Sequence, residues 1–148
     1  MNVAYFFIGE PEDEQIPGII HLYDTAGWWT GQAHENPELI RRIVTGSHCF
    51  VLACDGDEII GMGRAISDGI SDAYIQDVTV LPEFRGEGVG TGIVREILKK
   101  LRADGLQWIG LIAGRQSHPF YSKIGFREMP AATAMLLMMN FDKIIGDS

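Results

Sequence analysis

The chain has 148 residues, the length of one domain, and its 46% hydrophobic and 22% charged residues exclude a disordered chain and allow a sizeable core. Its net charge of −8 sets twelve Lys and Arg against twenty Asp and Glu, which argues against nucleic acid as a partner and suits a cationic small substrate. No apolar run reaches the roughly 20 residues of a membrane span, and the acidic start MNVAYFFIGEPEDEQ lacks the basic region of a signal peptide, so a soluble cytoplasmic protein with no membrane partner is expected.

Residues 2–8 (NVAYFFI) read as a strand. Over 13–26, Ile16, Ile19, Ile20, Leu22 and Tyr23 recur at helical spacing, with Pro17 near the start. A polar, aromatic loop, GWWTGQAHENP, follows. Asn36 as N-cap and Pro37 at the first helical position predict a second helix to about Thr45, closed by Gly46. Two β-rich runs flank Asp55-Gly56-Asp57 over 48–66, a hairpin signal, and AYIQDVTVL at 73–81 is a third strand, completing an antiparallel meander.

Cys49 and Cys54 sit five apart on a predicted strand and point to opposite faces, so they read as two core thiols and not a disulfide. No cysteine–histidine pattern supports a metal site. Val89, Ile93, Val94, Ile97, Leu98 and Leu101 mark one face of a helix that Gly105 stops. LQWIGLIA (106–113) reads as a strand buried on both faces. A short helix at about 116–124 and a last strand at about 133–141 complete the order βααβββαβαβ. The strand, helix and strand around residues 81–92 predict a parallel crossover in a mixed sheet.

Those residues, LPEFRGEGVGTG, raise the functional question. A glycine-rich turn from a strand into a helix is an anion site, because the first helical N–H groups lack partners and carry the positive end of the helix dipole. Arg85 adds a charged donor. A GxGxxG fingerprint fails at Thr91 or at Ile93, depending on where it starts, and no GK[ST] tripeptide occurs.

VTVLPEFRGEGVG (78–90) resembles the acetyl-CoA signature of the GNAT acyltransferase superfamily, in which a V-x-V strand end and Pro precede Q/R-x-x-G-x-G/A. HPFYSKIGF (118–126) is similar to that family's FYxKxGF segment. The resemblance covers about residues 48–128. It implies an α/β (α+β) fold: a mixed, mostly antiparallel, twisted sheet flanked by about four helices, in a single domain over 1–148. It implies acetyl-CoA as acyl donor and transfer to a primary amine by direct attack in a ternary complex.

On this likeness Arg85, Gly86, Glu87, Gly88, Val89, Gly90 and Thr91 cradle the pyrophosphate. The main chain of Val78, Thr79 and Val80 pairs with the pantetheine arm, and a bulge at this strand end opens the slot. The Val78 N–H polarises the thioester carbonyl, and Tyr121 protonates the departing thiolate.

Period-2 alternation puts Tyr74, Gln76, Val78 and Val80 on one face. Tyr74 and Gln76 stand where relatives often carry a base, and neither is one. Asp77 points to the other face unless a bulge re-aims it. His34, Glu35, Asp72 and His118 are further base candidates, and proton removal through water is an alternative. Many relatives carry Asn seven residues before the Tyr, where this chain has Gly114. Trp28 and Trp29 are acceptor-side candidates, able to stack on an amine, although one reads equally well as core and the other as its cover. The acceptor expected is a small-molecule amine. The alternatives are a protein N-terminal or lysine acetyltransferase and a CoA-binding domain without turnover. A homodimer is left open.

Overall fold

The sheet grows outward from the hairpin that Asp55-Gly56-Asp57 predicts. In this computed structural model, which describes residues 1–28 and 36–138, β2 (Cys49–Asp55) and β3 (Glu58–Ser67) pair antiparallel with Asp55 opposite Glu58. Gly56 takes φ 61°, which the two-residue turn requires. β1 (Val3–Phe7) adds antiparallel to β2, and β4 (Asp72–Val80) antiparallel to β3. β5 (Trp108–Gly110) lies parallel to β4, giving the order β1-β2-β3-β4-β5.

Helices cover both faces. α1 (Ile16–Ala26) follows a short 3-10 turn and ends at Gly27 with φ 75°. α2 (Pro37–Gly46) starts as its sequence predicts, with Asn36 Oδ1 accepting from the Glu38 N–H at 3.1 Å. Its end differs: Gly46 is the last helical residue, and Ser47 caps the helix in an extended conformation. α3 (Val89–Ala103) is the crossover between β4 and β5, and all six of its predicted face residues are buried. Each contributes about 1.5–3 kcal/mol relative to exposure.

α3 sits close to β3 because Gly61 and Gly63 leave room. A Cβ on Gly63 would stand 2.7 Å from Ile93 Cγ2 and 3.0 Å from Ile97 Cδ1. α1 lies on the opposite face, where the β3 residue next to Gly63, Arg64, points toward it.

Contacts divide the chain into a unit over Met1–Leu111 and a second over Ile112–Ser148. The second, described to residue 138, holds α4 (His118–Ile124), which Gly125 ends with φ 118°.

Two expected strands are corrected. β5 is three residues long and not buried on both faces, since Trp108 is exposed and folds its ring over Gly110, with no room there for a Cβ. Residues 133–138 of the expected last strand form none, and Met135 and Leu137 are exposed; residues 139–141 lie outside the described residues. That stretch is apolar, but its Ala, Leu and Met are helix formers, and Thr133 is its only β-branched residue.

Candidate active site

The glycine loop leaves the end of β4 through a 3-10 turn at Pro82–Phe84 and enters α3 at Gly88. Gly86 and Gly88 take φ 78° and 85°, in the left-handed region that glycine enters without penalty. A Cβ at either would meet nothing within 4 Å, so the backbone is open on that side. No side chain caps the helix start. The first-turn amides of Val89, Gly90 and Thr91 therefore have no intrahelical acceptor, and the first helical bond runs from the Gly92 N–H to the Gly88 carbonyl at 3.0 Å. Gly92 serves packing instead, since a Cβ there would overlap the Tyr5 hydroxyl. Glu87 is exposed.

Beside this loop, β4 presents an open edge. Its ladder with β5 ends at Tyr74–Gly110, so among the described residues no strand pairs with that edge from 75 to 80. The Leu81 N–H donates to the Ile60 carbonyl of β3 at 2.8 Å. Main-chain groups alternate between strand edges, so the Thr79 N–H faces β3 while those of Val78 and Val80 face the open edge. The Val80 carbonyl on that edge accepts from Arg85 Nε at 3.0 Å.

The expected common face of Tyr74, Gln76, Val78 and Val80 is wrong. The register with β3 shifts by one residue between the pairs Arg64–Gln76 and Met62–Thr79, which is a bulge, and Asp77 in it has φ 57°. The extra residue turns Val78 and Val80 to the α3 side, where they approach Gly63 and Gly61. Tyr74 and Gln76 keep the other face, exposed. Asp77 is re-aimed to that face as well: its Oδ2 accepts from the Tyr23 hydroxyl and from Arg64 Nε, each at 2.7 Å.

Tyr23 and Arg64 did not stand out in the sequence. Tyr23 looked like one more member of an apolar helical stripe. A signal existed for Arg64, a lone charge inside the strand EIIGMGRAIS.

Trp28 is 41% exposed, and its ring meets that of Tyr23 edge-on at 6.2 Å. Trp29, His34 and Glu35 lie outside the described residues. In the second unit Tyr121 is half-buried between the rings of Phe120 and Phe126, at 4.9 and 5.8 Å. Burial pushes its phenol above the ordinary value, so it stays protonated at neutral pH. Gly114 has open space where a Cβ would stand. Cys49 and Cys54 are free thiols, and burial pushes Cys49 up to about 11. Among the described residues no cluster suits a metal ion, and no helix is long and apolar enough to cross a membrane.

The sheet order, the crossover and the glycine loop define an acyltransferase-type domain. The model of the Acetyltransferase (GNAT) family matches residues 11–126, and the chain belongs to that family. It is similar to an uncharacterized N-acetyltransferase, ycf52, of Gracilaria tenuistipitata var. liui, at 40% identity over 68 residues, which is 46% of this chain and 37% of that protein. A glucosamine 6-phosphate N-acetyltransferase of Trypanosoma brucei brucei is 35% identical over 65 residues, 44% of this chain and 40% of that protein. These matches span well under half the length of either relative. Among solved structures, a GNAT family acetyltransferase of Streptococcus pneumoniae TIGR4 superposes with a TM-score of 0.77 over 94% of this chain and 99% of that one, at 24% identity, and so shares the fold.

Proposed function

We propose that this chain is an acetyl-CoA-dependent N-acetyltransferase acting on the primary amine of a small molecule. The carrying observation is one juxtaposition: an open strand edge presenting the Val78 and Val80 amides runs into an uncapped, glycine-opened helix start. That arrangement fits a ligand with an amide-bearing arm and a phosphate end, as CoA has. Bound there, the coenzyme supplies an acyl thioester.

The chain's own groups do the rest. Amides over Gly86–Thr91 hold the pyrophosphate, and Arg85, whose own N–H donates to the Pro82 carbonyl at 3.3 Å, adds charge. The main chain of Val78 and Val80 aligns the pantetheine, with the Val78 N–H as donor to the thioester oxygen, whereas Thr79 is paired toward β3 and takes no part. Tyr121, kept neutral by burial, gives its proton to the thiolate. Tyr74, Gln76 and Trp28 lie on the acceptor side, with Trp29 assigned there from sequence. Asp77 is committed to Tyr23 and Arg64, so the amine loses its proton through water. The net charge of −8 favours a cationic amine on approach. A glucosamine 6-phosphate N-acetyltransferase among the relatives supports a small acceptor.

The test is calorimetric titration with CoA, then thiol release from acetyl-CoA over a panel of amines and of peptides with free N-termini. Binding with amine-dependent thiol release supports the proposal. Binding without release from any acceptor would make the domain a coenzyme sensor, and no binding would remove the coenzyme altogether.

A further inference from the structure

Asp77 occupies a left-handed conformation in the middle of a strand, with φ 57°. Asp tolerates that region better than most residues, but at a cost, and an isolated strand would relax to regular pairing. The side chain opposes the relaxation. Oδ2 accepts from Tyr23 on α1 and from Arg64 on β3, both at 2.7 Å. Tyr23 is buried in the core, and burial followed by the charge of Asp77 raises its phenol pKa, so it remains a donor. Arg64 continues to Ser47 Oγ at 3.3 Å and to Gln76 Oε1 at 3.4 Å. Ser47 in turn donates to the Ile43 carbonyl at the end of α2. Two elements, α1 and β3, thus converge on one carboxylate oxygen of β4, and the end of α2 supports the arginine through Ser47.

What the carboxylate holds is a parity. In a strand, the face a side chain takes and the edge its N–H takes alternate together. Straight pairing would leave Val78 and Val80 on the face of Tyr74 and turn their amides toward β3. One inserted residue reverses both. We propose that Tyr23 and Arg64 are positioning residues: acting through Asp77, they lock the bulge that turns the Val78 and Val80 amides to the open edge of β4, where the acyl donor pairs. This rests on the coenzyme reading given above.

The test separates positioning from stability. Tyr23→Phe keeps the ring and deletes the donor, and Arg64→Gln removes the guanidinium. Either lowers the melting temperature if the contacts merely stabilise the fold, so affinity for CoA is the deciding quantity, measured by calorimetry well below each melting point. Weakened alignment of two main-chain hydrogen bonds should raise the CoA Kd by about tenfold. Asp77→Asn retains tolerance of the left-handed region and one acceptor oxygen, and should fall between the wild type and Asp77→Ala. CoA Kd values within twofold of wild type in folded Tyr23→Phe and Arg64→Gln would overturn the proposal. Absence of CoA binding by the wild type would instead show that the coenzyme reading had failed.

Discussion

Arg85 Nε donates to the Val80 carbonyl, so the arginine that precedes the glycines is folded back against the end of β4. One side chain thereby ties the loop to the strand edge it continues. The two terminal nitrogens make no hydrogen bond or ion pair among the described residues, and the residue is otherwise exposed. Arg is suited to this double use, because its planar fork spreads five donors, whereas Lys is a point charge.

Arg85→Lys should therefore fail to restore what Arg85→Ala loses. A charge-assisted hydrogen bond contributes about 1.5–3 kcal/mol, so the alanine variant should bind CoA at least about tenfold more weakly. Its affinity should also depend less on salt than that of the wild type. Titration at two ionic strengths checks both points. Full recovery in the lysine variant would reduce Arg85 to its charge.

The glycine at the helix start offers a cleaner separation of folding from binding. With φ 85° at Gly88 and open space around a Cβ, Gly88→Ala costs stability through backbone strain alone, about 1–2 kcal/mol. Gly88→Asn should unfold at a higher temperature than Gly88→Ala, because Asn accepts the left-handed region. Both should bind CoA poorly, and Asn the more poorly, since it fills the space the phosphate would enter. Thermal melts beside CoA titrations read the two orders. An Asn variant that binds CoA as tightly as wild type would place the pyrophosphate elsewhere.

Much of this architecture was legible because it rests on local chemistry. The Gly56 turn, the Asn36 cap and the buried stripe from Val89 to Leu101 each follow from residue type and spacing. The glycine loop was legible for the same reason. The family resemblance implied a bulge at this strand end, but its place at Asp77 was not legible, because tolerance of a positive φ is a weak signal that Asp shares with Asn and Gly. Period-2 counting across the bulge assigned Val78 and Val80 to the opposite face. Tyr23 was hidden by its apolar ring, although its hydroxyl is what reaches Asp77. At the other end, apolarity was mistaken for strand propensity over 133–138, where β-branched residues are nearly absent.

For Tyr121 the prediction has a pH sign. Burial disfavours the phenolate and raises the pKa, so the proton-bearing form persists beyond the ordinary titration range of tyrosine. If Tyr121 donates to the thiolate, its own ionisation limits turnover only above about pH 10, its unperturbed value. Any alkaline limb at lower pH would belong to another group and would survive in Tyr121→Phe. The Phe variant should lose about 10²-fold or more in turnover and keep its acetyl-CoA affinity within a few-fold. A pH–rate profile of both proteins decides it. Normal turnover in the Phe variant would leave Tyr121 as packing between Phe120 and Phe126.

Trp28 bears on the acceptor. It is 41% exposed and rests edge-on against Tyr23, whose hydroxyl is bonded to Asp77 in the bulge. An indole so placed is partly available to a ligand and anchored close to β4. If it holds the body of the amine, Trp28→Ala should raise KM for the amine about three- to tenfold, the scale of an aromatic or cation–π contact. KM for acetyl-CoA should stay nearly unchanged. Trp28→Phe retains an aromatic face and should recover much of the loss. The contact with Tyr23 supplies a control, because a loosened bulge would also weaken CoA binding in the alanine variant. Equal losses for both substrates would thus assign Trp28 to the support of Tyr23 and not to the acceptor. Efficient acetylation of peptide N-termini, with no activity on any small amine, would move the acceptor to the protein class.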